Sequence, residues 1–178
     1  MSLFSSKHLI TSDKDLTYYL KKHKNISKLT HNATFIIPYD HLKNISITHI
    51  AKKKVGIIIN TQHSESNNPS GHWALLVINR LKQCLFIDSL ASTFQNNKNI
   101  QNELISFCKK HKLKLLIWDV KTQNTYSQSC GFQILFYLDF FSKHNIAKFV
   151  NLKRLLKQYS LLQAEHYILK KAYALCSR

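Results

Sequence analysis

The sequence predicts a single α+β domain over residues 1–178, with an antiparallel or mixed sheet packed around one buried central helix. Three observations carry that prediction. Short runs rich in β-branched and aromatic residues recur at 55–60 (VGIIIN), 72–78 (HWALLVI), 84–88 (CLFID) and 113–119 (LKLLIWD). The segment CGFQILFYLDFF, which opens at Cys130, is apolar nearly all round, and a helix of that kind belongs inside a core. No repeat or linker divides the chain, and 178 residues suit one core.

Each element has a local reason. Ser12 followed by Asp15 reads as a helix N-cap with an acid three positions on, so a helix is expected to about His23. Residues 33–38 (ATFIIP) read as extended, and 39–44 as a short helical turn. The run 55–60 is a buried strand, and the polar stretch 61–71 (TQHSESNNPSG) is a loop that ends at a glycine. Residues 72–78 and 84–88, joined by NRLKQ, form a hairpin. A helix is expected over 96–111, with Ile100, Leu104, Ile105 and Cys108 on one face. The strand 113–119 follows, then a polar connection over 120–129 into the apolar helix. Basic amphipathic helices at 148–159 and 161–175 close the chain.

Composition narrows the function classes. Lysine and arginine number 26 against 9 acidic residues, a net charge of +17, and only three of the basic residues are arginine. Codon bias in an AT-rich genome explains lysine in place of arginine, but not the surplus. That surplus favours a polyanionic partner, most simply nucleic acid bound without sequence preference through its phosphates. The candidate contacts are Lys52, Lys53 and Lys54, the cluster from Lys109 to Lys114, and the lysines along 148–171. Hydrophobic residues at 44% exclude an intrinsically disordered chain. No apolar run approaches the roughly 20 residues of a membrane span, and the N-terminus has no signal-like stretch. An intracellular, non-secreted protein without a membrane partner, and a monomer, is expected. Cys84, Cys108, Cys130 and Cys176 are widely spaced, which points to free thiols rather than a disulfide framework or a zinc site. The chain has only three glycines, where about 12 would be average.

Four residues could together do chemistry. Cys130 opens the apolar helix, where the positive end of the macrodipole favours thiolate. Gly131, next to it, removes a side chain that would crowd a substrate. His72 stands between Gly71 and Trp73, where a polar loop meets a buried strand. Asp88 ends the partner strand of the same hairpin, and a carboxylate there needs a partner. These are a thiol nucleophile, an imidazole base and an orienting acid. Gln123 could supply an amide donor for an oxyanion hole, and Gln128 competes for that role on chemistry alone.

The segment IIINTQHSESNNPSGHWALLVINRLKQCLFIDSL resembles the corresponding part of adenain, the adenovirus maturation protease. QNTYSQSCGFQILFYLDFF resembles that family's Gln-x6-Cys-Gly followed by an apolar helix, and the order His, acid, Gln, Cys matches. The resemblance covers roughly residues 34–142. It implies a papain-like, adenain-like cysteine protease fold with the nucleophile at the N-terminus of the buried helix. It assigns His72 as base, Asp88 as orienting acid, Gln123 rather than Gln128 to the oxyanion hole, and Cys130 as nucleophile. Trp73 and Gly131 become substrate-binding residues, with Trp73 roofing a narrow groove that selects small residues such as glycine. The acid is aspartate, as in the more distantly similar SUMO and ubiquitin-like-protein proteases, where adenain has glutamate. A lysine- and asparagine-rich member looks like the proteases of virophages and polinton-type elements. The implied activity is a viral cysteine endopeptidase cleaving capsid precursor proteins in the virion and the virus factory. No cofactor is required, with DNA and a viral peptide as activators. No cysteine matches the position through which adenain's peptide is joined, since Cys108 falls in the predicted helix, so a covalent activator is not expected. Two alternatives stand beside this one: a deconjugating protease acting on ubiquitin-like proteins, and a non-catalytic DNA-binding virion protein on the same fold.

Overall fold

The computed structural model describes residues 12–31, 34–47, 53–66 and 71–177. Ala33, Lys52 and residues 67–70 of the 61–71 loop, all used above, lie outside them. Ser12 caps α1 (Asp13–Lys22) through a reciprocal box: Asp15 N–H donates to Ser12 Oγ at 3.2 Å, and Ser12 N–H to Asp15 Oδ2 at 3.0 Å. A short α2 (Lys24–Leu29), unforeseen in the sequence, follows directly and buries Ile26 and Leu29. Its register is too brief to show a helical period. Strand β1 (Ile36–Pro38) leads into a short 3-10 helix of two turns, Tyr39–Asn44, where a short helical turn is expected.

Strands β2 (Val55–Asn60), β3 (Trp73–Ile78), β4 (Gln83–Ile87) and β5 (Lys114–Ile117) complete a five-stranded sheet in the order β1-β2-β3-β4-β5. The two central pairings, β2 with β3 and β3 with β4, are antiparallel, and the two outer ones are parallel. The sheet is therefore mixed. The β3–β4 hairpin turns through Asn79, whose Oδ1 accepts the N–H of Leu81 and Gln83 at 3.0 Å each. Lys82 completes that turn in the left-handed region at φ 57.

The central strands are apolar without interruption because both faces of the sheet are covered. Ile58, Leu75, Val77, Leu85 and Ile87 face one cluster with α5 (Cys130–Lys143), α6 (Ile146–Leu156) and α7 (Leu161–Cys176). Ile57, Ile59, Leu76, Cys84 and Phe86 face the other, under the 3-10 helix and α4 (Lys98–Lys110). A short α3 (Thr93–Asn96) precedes α4 and was not anticipated. The face of α4 needs one correction. Ile100, Leu104 and Cys108 are buried, but Ile105 is 48% exposed and Phe107 takes its place. At a hundred degrees per residue, Ile105 lies too far round the helix once α4 is seated by Ile100 and Leu104.

Helix α5 is buried along nearly its whole length, as its composition requires. Two features let it sit so deep. Gly56 leaves room for it: a Cβ there would stand 2.6 Å from Leu138 Cδ2. Lys54 closes its C-terminal end, donating from Nζ to the carbonyls of Phe141 at 2.8 Å and His144 at 2.6 Å. Lys54 is thus a helix cap, which removes it from the expected phosphate contacts. Gly56→Ala should lower unfolding free energy by about 1–3 kcal/mol, the usual range for overpacking a tight core, as measured by urea denaturation. An unchanged midpoint would show that α5 is not held against β2.

Candidate active site

The site forms where one end of the central strands meets the start of α5. His72 immediately precedes β3 and prolongs the β2–β3 ladder: Thr61 N–H donates to His72 O at 2.9 Å, and His72 N–H to Thr61 Oγ1 at 3.1 Å. Its backbone is thus held by Thr61, the residue that directly follows β2. Gly71 has a steric reason to be glycine. The Asn60 side chain folds over it, accepting Gln62 N–H at Oδ1 at 2.9 Å, and a Cβ on residue 71 would collide with that same Oδ1.

Asp88 follows β4 directly and is 2% exposed. Its carboxylate has no unmet demand. Oδ1 accepts from His72 Nε2 at 2.7 Å and Leu90 N–H at 2.9 Å. Oδ2 accepts from Ser92 N–H at 3.0 Å and Thr93 N–H at 2.8 Å. Closing this turn places Ala91 at φ 55, a left-handed conformation costing an alanine on the order of 1 kcal/mol. Burial raises the Asp88 pKa, but the His72 hydrogen bond, the His72 charge and the backbone donors outweigh it and bring it down to about 2.

With Nε2 committed to Asp88, Nδ1 of His72 is the ring nitrogen left for Cys130. Burial pushes the His72 pKa down. The hydrogen bonds to Asp88 and Cys130, and the charges of both, overcome that and raise it to about 9. Burial likewise pushes the Cys130 thiol up, and the His72 hydrogen bond and charge, then the N–H groups of Trp73 and Gly131, bring it below its ordinary value. The arrangement favours a thiolate–imidazolium pair. Because His72 binds its proton more tightly when folded, its share of stability is complete below pH 6.5 and is lost as pH rises through about 9. The Asp88 share is complete above pH 3.8 and is lost as pH falls through about 2.

The two glutamines separate clearly. Gln128 is exposed, whereas Gln123 is 3% exposed and held at both ends. Its Oε1 accepts from Ser89 Oγ at 2.5 Å and its Nε2 donates to Ser127 O at 2.6 Å. Ser89 O also accepts the N–H of Thr122 and Gln123, at 2.8 and 3.0 Å. The residue after the acid therefore positions the loop that leads to the thiol. Trp73 departs from expectation. Trp73 is 3% exposed and packed in the core cluster that includes α5, so it does not roof a groove here; its backbone N–H is the group that meets Cys130. A tryptophan at the first position of a strand covered on both faces is drawn inward by the area it buries.

Sequence reasoning missed the polar network beneath the nucleophile. Glu165 on α7, 6% exposed, accepts from Ser129 Oγ at 2.7 Å. Gln133, fully buried on α5, donates to Ser129 Oγ at 3.2 Å and Thr122 O at 3.0 Å, and accepts from Thr122 Oγ1 at 2.7 Å. Ser129 immediately precedes Cys130, so α7 and the loop at 122 fix the residue on which the thiol turns. The signals were present: Glu165 lies on the apolar stripe Ala164, Ile168, Leu169, Ala172, and Gln133 interrupts an apolar run. Glu165→Ala should cost about 1–3 kcal/mol by leaving buried donors unmet and should slow Cys130 alkylation by iodoacetamide. Glu165→Gln, which keeps an acceptor for Ser129, should recover most of both. Equal behaviour of the two variants would mean that Glu165 only fills space.

No protein-family model matches the chain, and no curated protein is similar to it in sequence. Solved structures are similar in fold. Chlamydia trachomatis effector protein ChlaDUB1 superposes with a TM-score of 0.52 at 14% identity, over 92% of this chain and 70% of that one. A second structure of ChlaDUB1 gives 0.51 at 14% identity, over 92% and 76%. Chlamydia trachomatis effector protein Cdu1, solved bound to ubiquitin, gives 0.51 at 12% identity, over 92% and 77%. None of these three is an adenain, so the adenain and virophage resemblance rests on the sequence motifs alone. What the likeness establishes is the fold: a mixed α+β sheet on helices, of the kind found in papain-like and ubiquitin-like-protein proteases.

Proposed function

We propose that the chain is a cysteine protease that releases ubiquitin-like proteins by cutting at their C-termini. The observation that carries the chemistry is the His72 imidazole held between buried Asp88 and Cys130 at the first turn of a buried helix. In this reading the Cys130 thiolate attacks the carbonyl carbon of the scissile amide. The second N–H of Gln123 Nε2 and the Cys130 backbone N–H take the oxyanion. The imidazolium of His72 gives its proton to the departing amine as the C–N bond breaks, leaving a thioester on Cys130. His72, now neutral, draws a proton from water, whose oxygen attacks the thioester; as the C–S bond breaks, the acid product leaves and the thiolate–imidazolium pair is restored.

The substrate class is supported by the neighbour solved with ubiquitin bound, which shares the fold over most of both chains. That favours the deconjugating reading over maturation of capsid precursors, for which neither the structure nor the comparisons hold a supporting observation. Activation by DNA or by a viral peptide, capsid substrates and a virion location remain expectations of the resemblance only.

Ubiquitin and SUMO carrying a C-terminal propargylamide test the proposal together. One of them should form a covalent adduct with the wild-type chain and none with Cys130→Ala. Gln123→Ala should lower turnover of the matching fluorogenic substrate by about a hundredfold or more, the usual cost of an oxyanion donor. Absence of labelling by both probes, with cleavage of a co-expressed capsid precursor, would return the assignment to a maturation protease.

A further inference from the structure

Lysines from two of the clusters that stand apart in sequence, Lys53 and the pair Lys110 and Lys112, meet at one cavity with Lys82, at the opposite end of the sheet from His72. Its volume is about 230 Å³, and Ile47, Val55, Ile78 and Leu113 give it an apolar floor. Lys53, Lys82, Lys110 and Lys112 also line it. Val55 pairs with Ile78 at one end of the β2–β3 ladder, and Asn60 with Trp73 at the other. At ~3.4 Å per residue, the cavity stands about 17 Å from the strand ends that carry His72.

Three features describe this cluster. Among the described residues none of the four lysines meets a carboxylate, as is true of most lysines in a chain with 26 basic and 9 acidic residues. Lys110 donates from Nζ to the Lys43 carbonyl at 2.8 Å. Next, Lys82 and Lys112 both occupy left-handed backbone, φ 57 and 53, where glycine would be easier by on the order of 1 kcal/mol. Finally, their turns are tied together, with Lys114 N–H donating to Lys82 O at 2.8 Å. Four cations from three places in the fold, the residues before β2, the β3–β4 turn and the end of α4 with its turn, thus line an apolar floor, two of them in left-handed backbone.

We propose that this cavity binds a free nucleotide, with the base on the apolar floor and the phosphates on the lysine rim. A flat heterocycle suits the floor, and a di- or triphosphate supplies the charge that the rim lacks. The proposal is independent of the protease assignment, since no residue is shared between the two sites.

The test is calorimetric titration of the full chain with ATP, alongside Lys82→Gly/Lys112→Gly and a control of equal charge change, Lys24→Ala/Lys28→Ala, on exposed positions of α2. Saturable one-to-one binding is expected for the wild type and the control. The glycine variant should lose about tenfold or more in affinity while its Tm stays level or rises, because the strain is relieved. A variant that is both more stable and weaker in binding cannot be explained by misfolding. No saturable binding of ATP, or equal loss in both variants, would overturn the proposal. So would tripolyphosphate binding as tightly as ATP, which would leave the floor unused. Duplex DNA binding that the glycine variant loses, with ATP not bound, would make the cavity a nucleic-acid contact instead.

Discussion

A carboxylate that is 2% exposed can persist only with all its acceptor positions occupied, and Asp88 meets that condition with four donors. Three of them are backbone N–H groups of its own turn, which fix the oxygens before the imidazole arrives. The fourth is His72 Nε2. That single bond decides which face of the imidazole meets the thiol and which nitrogen is free for proton transfer. It also keeps the proton on His72 through neutral pH, and that charge in turn draws the Cys130 thiol down toward thiolate. The geometry of the nucleophile is therefore set from the far side of the histidine.

The remainder of the fold keeps those three residues in register. His72 immediately precedes one strand of the hairpin and Asp88 immediately follows the other, so the ladder between those strands sets their spacing. Cys130 comes from another layer, and its height over the sheet depends on how closely α5 packs. Gly56 permits that approach, Lys54 closes the far end of the helix, and Glu165 with Gln133 holds Ser129 at the near end. Ser89 links the acid to Gln123 through both its hydroxyl and its carbonyl. A helix buried on all sides has few places for polar atoms, and the structure puts them where the chain enters the helix.

Much of this was legible in the sequence because its signals were local. The capping pair Ser12 and Asp15, the apolar strands and the helix from Cys130 each announce themselves within a few residues. The scarcity of glycine was also informative. Gly71 sits beneath the Asn60 side chain and Gly56 beneath Leu138, so two of the three are placed by close approach rather than by turns. What could not be read were properties of packing between distant segments. Nothing near Lys54 shows that it reaches the end of α5, and nothing near Trp73 shows that its indole turns into the core. The adenain motifs pointed to the residues of the site and the solved structures share the fold, but neither motif spacing nor fold reports what docks outside the site.

The central claim is that Asp88 sets the protonation of His72. Following the His72 ring by NMR as pH is varied, in the wild type and in Asp88→Asn, measures it directly. The wild-type ring should titrate near 9, well above the ordinary 6.5. In Asp88→Asn the strongest opposing influence on burial is gone, so the midpoint should fall by a unit or more, about 1.4 kcal/mol per unit. A wild-type midpoint near the ordinary value, or one that Asp88→Asn leaves in place, would contradict the account.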